Sequence, residues 1–180
     1  MIIPNDSWVP VTPGITSDLT NRHPILYTQC CKQFGVETSP RYARGHMGHN
    51  ETYCNIYLWD CSVALGAEIP HWIDPATGAP VAMGKGKETD ANAVCDWLAQ
   101  YGPVYGWQPA GMVAAVANAV DGNPTVMTYK NPSGDGHVAV VLPTPVGSSV
   151  LIAQAGATNF FNQDYHKGFA NLPVLYYIHA

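Results

Sequence analysis

The run Cys54-Asn55-Ile56-Tyr57-Leu58-Trp59-Asp60-Cys61-Ser62-Val63-Ala64-Leu65-Gly66 constrains this chain more than any other stretch. A polar loop precedes it, and Gly66 and then Pro70 close it. Glycine takes the left-handed turn that ends a helix, and proline cannot continue one. The spacing predicts an amphipathic helix over 54–66 with a cysteine at its mouth. A helix N-terminus offers unpaired N–H groups and about half a positive charge, which together favour a thiolate over a thiol.

Far downstream, Gly136-His137-Val138-Ala139-Val140-Val141 reads as a histidine opening an apolar strand. Alternation puts His137 on one face with Ala139 and Val141, and that face is expected to point at the Cys54 helix. Gly136 is expected to leave room for a substrate backbone. A thiol beside an imidazole suits acyl transfer, with the imidazole as base and then acid. Cys61 is the competing nucleophile. It falls nearly two helical turns after Cys54, mid-helix, where no free N–H helps to ionise it. Cys54 is therefore preferred, and Cys61 is assigned to the core.

A Cys–His pair needs a third polar group to orient the ring. Gln154, in Val150-Leu151-Ile152-Ala153-Gln154-Ala155, lies on the next predicted strand, and Asn159 is the second choice. An oxyanion would take the backbone N–H of Cys54, with a side-chain donor from Tyr42, Asn50 or Asn55. His46-Met47-Gly48-His49 does not make a metal site with Cys54, because no HExxH and no acidic third ligand accompany it. Paired carboxylates of the glycosidase kind leave no signature here.

The 180 residues suit one domain over 1–180, and 47% apolar composition suits a real core. A net charge of -5 without a basic block argues against nucleic acid. No apolar run reaches the ~20 residues of a membrane span. The start, Met1-Ile2-Ile3-Pro4-Asn5-Asp6, lacks the pattern of a Sec signal. Work outside the cytoplasm would then require lysis or a dedicated secretion machine. The cysteines, Cys30, Cys31, Cys54, Cys61 and Cys95, match no CxxC zinc spacing. Those other than Cys54 are either small buried hydrophobes or disulfide partners.

Residues 1–23 read as an irregular arm, and 24–34 as a short helix opening at Pro24 and stopped by Gly35. Residues 36–53 read as a loop, and 71–88 as a surface loop. Asp90 caps a helix with the face Val94, Trp97, Leu98, Tyr101. Pro109 is expected to start another helix, carrying Val113, Val116 and Val120. Strands are predicted at 125–130, 137–142, 150–155 and 174–179, with a hairpin loop at 131–136. Helices first and strands second predict an α+β fold in which the Cys54 helix packs on an antiparallel sheet.

At these residues the chain resembles the NlpC-type papain-like cysteine peptidases, which cut the peptide stems of bacterial cell wall. That group includes phage and bacterial lysins and the amidase effectors of type VI secretion. In the family the nucleophile opens a helix ended by Gly, with Pro soon after. Cys54, Gly66 and Pro70 match this, and Cys61 does not. Gly136-His137-Val138 matches the family's Gly-His-strand motif, Gln154 the third polar residue, and Tyr42 a tyrosine that lines the site. The usual Asp-Cys-Ser-Gly is replaced by Tyr53-Cys54-Asn55-Ile56, and the Cys-to-His separation is long. The excess falls around 71–120, an insertion-like helical segment expected to form a lid or cleft wall. There, the stretch 71–107 is a candidate for substrate specificity, with Trp72 and Trp107 either lining the groove or packed in the core.

The resemblance implies a monomeric, cofactor-free amidase or endopeptidase acting on peptidoglycan stem peptides at the cell wall or periplasm, after lysis or dedicated secretion, with delivery machinery or an immunity protein as candidate partners. The same Cys–His pair would also serve a transglutaminase, deamidase or acyltransferase. A non-enzymatic phage or virion component keeping the fold is the remaining alternative.

Overall fold

In the computed structural model, which describes residues 6–145 and 147–180, the elements follow in order. They are α1 (Pro24–Lys32), α2 (Cys54–Ala64), β1 (Trp72–Ile73), β2 (Lys87–Glu88), α3 (Ala91–Gln100), β3 (Trp107–Ala110), α4 (Met112–Val120), β4 (Thr125–Tyr129), β5 (His137–Val141), β6 (Leu151–Gln154), β7 (Phe160–Asp164), α5 (His166–Phe169) and β8 (Leu175–His179). Single 3-10 turns occur at Asp6–Trp8, Pro40–Tyr42 and Gly102–Tyr105. The fold is α+β. Six strands form one antiparallel sheet in the order β3-β8-β4-β5-β6-β7, and β1 and β2 pair separately.

Helix α2 ends as predicted. Gly66 sits at φ +63°, the Ala67 N–H reaches the Ser62 carbonyl, and a Cβ on Gly66 would lie 2.7 Å from the Ser17 carbonyl oxygen. That close approach, with the Ser17 N–H on the Ala64 carbonyl at 2.8 Å, ties the irregular N-terminal arm to the helix. The helix is not amphipathic. Its buried residues include Ile56, Tyr57, Leu58, Asp60, Cys61 and Ala64, so it is covered on nearly all sides. Each fully buried Leu or Ile of this kind contributes about 1.5–3 kcal/mol.

The two faces of the sheet carry separate cores. Val126, Val138, Val140, Ala153 and Tyr177 pack with α1, α2 and α3. Met127, Ala139, Val141, Ile152 and Phe160 pack with Ala115 and Ala119 of α4 and Phe169 of α5. The expectation that Ala139 and Val141 face the Cys54 helix is therefore reversed: Val138 and Val140 do.

The segment 71–120 is not a separate lobe. It contributes α3 to one face, the edge strand β3 to the sheet, and α4 to the other face. Pro109 lies in β3, not at a helix start, and an edge strand tolerates its missing N–H. Helix α4 then packs through its alanines, and Val113 stands 86% exposed. Trp107 is fully buried in the core and lines no cleft. All five cysteines are buried and unpaired. Cys61 packs toward Cys31 and Tyr57, on the α1 side rather than on the sheet.

Candidate active site

Cys54 is the first residue of α2, and the preceding Tyr53 gives the helix no side-chain cap. The N–H groups of the first turn therefore have no acceptor within the helix. Those of Asn55 and, from β5, Val138 favour the charged form of the Cys54 sulfur. His137 opens β5, and Gln154 closes β6, its antiparallel neighbour. The His137 Nε2 lies 2.6 Å from Gln154 Oε1. Gln154 Nε2 donates to the Thr158 carbonyl at 3.1 Å, which fixes Oε1 as the atom facing the ring. Nε2 of His137 then carries the proton, and Nδ1 is left for Cys54.

His137 and Gln154 belong to the α5 face, whereas Cys54 is on the α2 face. The ring reaches the thiol because His137 is the strand's first residue, at the end of the sheet where the mouth of α2 also lies. Burial pushes the Cys54 thiol up, but the hydrogen bond and charge of His137, with the Val138 and Asn55 N–H groups, bring it below its ordinary value. Burial likewise pulls His137 down, and Cys54 and Gln154 raise it above the ordinary imidazole value. Both shifts favour a thiolate–imidazolium pair. By contrast, burial pushes Cys30 and Cys95 up to about 11 and holds Cys61 above its ordinary value.

Cys54 is 4% exposed and lies on the wall of a cleft of about 430 Å³. Trp8, Met47 and Tyr53 make apolar walls, and Glu51, Glu88, Asp90 and Asp135 bring carboxylates. Trp8, in the N-terminal arm, carried no sequence signal beyond being aromatic. Glu51 accepts the Tyr53 hydroxyl at 2.7 Å and the Met47 N–H at 2.8 Å. Burial opposes its ionisation, but these bonds and nearby His49 hold the carboxyl down at about 2.

The side-chain oxyanion donors expected from sequence are committed elsewhere. Tyr42 is buried and donates its hydroxyl to Asp60 Oδ2 at 2.6 Å, away from the cleft. Asn55 lines the cleft, but its Nδ2 donates to the Thr89 carbonyl at 2.9 Å. Asn50 is exposed and is not on the cleft wall. Asn159 does not compete with Gln154 for His137. Its Nδ2 ties the Val36 and Tyr42 carbonyls together, at 3.1 and 2.7 Å. Of the expected donors, the backbone N–H of Cys54 is the one left beside the sulfur.

Gly136 lines the cleft, yet the space beside it is filled by the protein. A Cβ there would collide with Asn92 Oδ1 and lie 2.8 Å from the Tyr129 carbonyl oxygen. Asn92 uses its amide to clamp the hairpin loop, through the Asn131 N–H and carbonyl and the Gly134 carbonyl. The His46 ring is stacked on Tyr53 at 4.3 Å and bonded to Ser7 and the Ala43 carbonyl, so it does not converge with His49 on Cys54.

The loop before α2 is anchored by Arg41, whose guanidinium forks onto Asp60 at 2.7 and 3.0 Å. Burial outweighs the donors around it and holds the Asp60 carboxyl above its ordinary value. The three donors on it, two from Arg41 and one from Tyr42, are those a carboxylate collects, and the geometry decides for the charged form.

Comparison with known protein families and with curated proteins finds no match.

Proposed function

We propose that this chain is a papain-like, NlpC-type cysteine hydrolase that cleaves an amide bond in the peptide stem of bacterial peptidoglycan. The observation that carries the reading is the Cys54 thiol on the cleft wall, held below its ordinary value by His137, whose ring is in turn held by Gln154. The order of motifs, Cys54 through Gly66 and Pro70 and then Gly136-His137, supports the choice of family and so of substrate.

The Cys54 thiolate attacks the amide carbonyl, forming an S–C bond as the carbonyl π pair moves onto oxygen. The backbone N–H of Cys54 stabilises that oxyanion. The intermediate collapses, the C–N bond breaks, and the His137 imidazolium gives its proton to the leaving amine. Neutral His137 then takes a proton from water, which attacks the thioester and releases the acid and the Cys54 thiolate. Gln154 keeps the ring tautomer that this sequence requires. No cofactor enters. On this reading the enzyme acts at the cell wall or periplasm, after lysis or dedicated secretion.

Digestion of purified peptidoglycan by wild type and by Cys54→Ala, with mass spectrometry of soluble fragments, tests it. Stem fragments released by wild type alone are the expected result. Ammonia release or cross-linking without new stem amines would replace hydrolysis of stems with deamidation or acyl transfer. No product from folded wild type would leave a non-enzymatic role.

A further inference from the structure

The region after β6 holds a second layer behind the Cys54–His137 pair. The one-turn helix α5 stands on the face of the sheet from which His137 and Gln154 project. Its Phe169 is fully buried, and the ring centroid lies 4.6 Å from that of His137, tilted by 49°. The preceding Gly168 touches the other partner. A Cβ there would overlap Gln154 Oε1 and lie 2.9 Å from Cδ. Gly156 approaches from the strand side, where a Cβ would lie 2.8 Å from Gln154 Nε2 and 3.2 Å from His137 Cε1. The His137–Gln154 hydrogen bond is thus enclosed by two glycines and a phenyl ring.

The helix that delivers these groups is itself held. Asp164 accepts the His166 N–H at 2.8 Å and also takes the Ser149 hydroxyl. Tyr165 donates its N–H to the Val150 carbonyl at 3.0 Å. Directly after Phe169, Ala170 adopts φ +49°, a conformation that is strained for a residue with a Cβ. Strain of that kind persists only where the surrounding contacts demand the backbone path.

We propose that Gly168 and Phe169 are positioning residues: Phe169 covers the His137 ring, and Gly168 leaves the space in which the Gln154 carbonyl can hold Nε2–H, so that Nδ1 is presented to Cys54. The inference rests on the cysteine-hydrolase reading. Water that reached the Nε2–H would compete with Gln154 and free the ring to turn. An imidazole free to turn no longer holds the thiolate.

The test is the pH dependence of Cys54 alkylation by iodoacetamide, in which the thiolate displaces iodide. It needs no substrate, and peptide mapping assigns the modified cysteine. In Phe169→Ala and in Gly168→Ala the acid limb moves up in pH, and the rate at about pH 6 falls about tenfold or more. Gly168→Ala adds one methyl to a helix and keeps the fold testable if Phe169→Ala is unstable. Phe169→Leu, which restores cover, recovers most of the rate. Val141→Ala makes a cavity in the same core at the far end of β5 and loses stability without moving the limb. Gly168→Ala and Phe169→Ala variants that both keep the wild-type limb would overturn the proposal and leave the function standing. A wild-type Cys54 that titrates as an ordinary thiol would remove the function reading, and this one with it.

Discussion

The His137 ring and the Gln154 carboxamide meet at 2.6 Å across two neighbouring strands, and that contact decides which ring nitrogen faces Cys54. Because Gln154 Nε2 is spent on the Thr158 carbonyl, the amide cannot turn over without losing both bonds. Gln154→Ala is expected to lower kcat on a stem peptide by about 10- to 100-fold, with KM little changed. Gln154→Asn, one methylene short of the contact, should fall in the same direction. Steady-state kinetics on folded variants checks both.

The ionisation of the pair has a definite sign. The Cys54 thiol is below its ordinary value, so thiolate persists as pH falls past the point where a free thiol is protonated. His137 is above its ordinary value, so the imidazolium persists as pH rises past the point where a free imidazole is neutral. Both shifts favour the thiolate–imidazolium pair over the neutral pair. His137→Ala removes the hydrogen bond and charge that pull the thiol down most and leaves burial, which pushes it up, opposed by the Val138 and Asn55 N–H groups. The acid limb of Cys54 alkylation should move up in pH in that variant. An unmoved limb would mean that the helix mouth alone ionises the cysteine.

Much of this site was legible because its signals are local. A polar loop, an apolar run and the Gly66 stop mark α2, and the turn residues 131–136 mark the β4–β5 hairpin that sets His137. Gln154 was legible as an amide among Ile152, Ala153 and Ala155. What was not legible depends on contacts distant in sequence. One turn of helix at His166–Phe169 has no period to read, so the cover over His137 stayed hidden. Valines on α4 outrank alanines in hydropathy, yet Ala115 and Ala119 let the helix approach the sheet. The hydroxyl of Tyr42 and the amides of Asn55 and Asn159 looked free until their partners Asp60, Thr89, Val36 and Tyr42 were folded onto them.

The Arg41–Asp60 pair predicts a large stability effect far from the chemistry. Asp60 is buried in the middle of α2, and Arg41 is only 11% exposed. Arg41→Met leaves a buried carboxylate without its fork and should cost about 3–5 kcal/mol. Replacing both, Arg41→Met with Asp60→Leu, should recover part of that loss, the Tyr42 hydroxyl being left without its acceptor. Urea unfolding of the single and double variants measures it, and a single variant within about 1 kcal/mol of wild type would show the pair to be dispensable.

The carboxylates beside Cys54 predict how charged reagents reach it. Glu51, Glu88, Asp90 and Asp135 line the cleft, and among the described residues no lysine or arginine is in its walls. A cationic methanethiosulfonate should therefore modify Cys54 about tenfold or more faster than an anionic one of similar size at low salt. Raising salt to about 1 M should shrink the ratio, because the screening length falls to about 3 Å. Glu88→Gln, Asp90→Asn and Asp135→Asn together should collapse it at low salt. Asparagine at 90 preserves the cap that Asp90 gives to Ala93, so α3 is kept while the charge is removed. A triple variant that still prefers the cation would place the field at Glu51, whose carboxyl is held down at about 2 and so stays charged throughout. Equal rates for both reagents on wild type would show that the cleft exerts no steering at the sulfur.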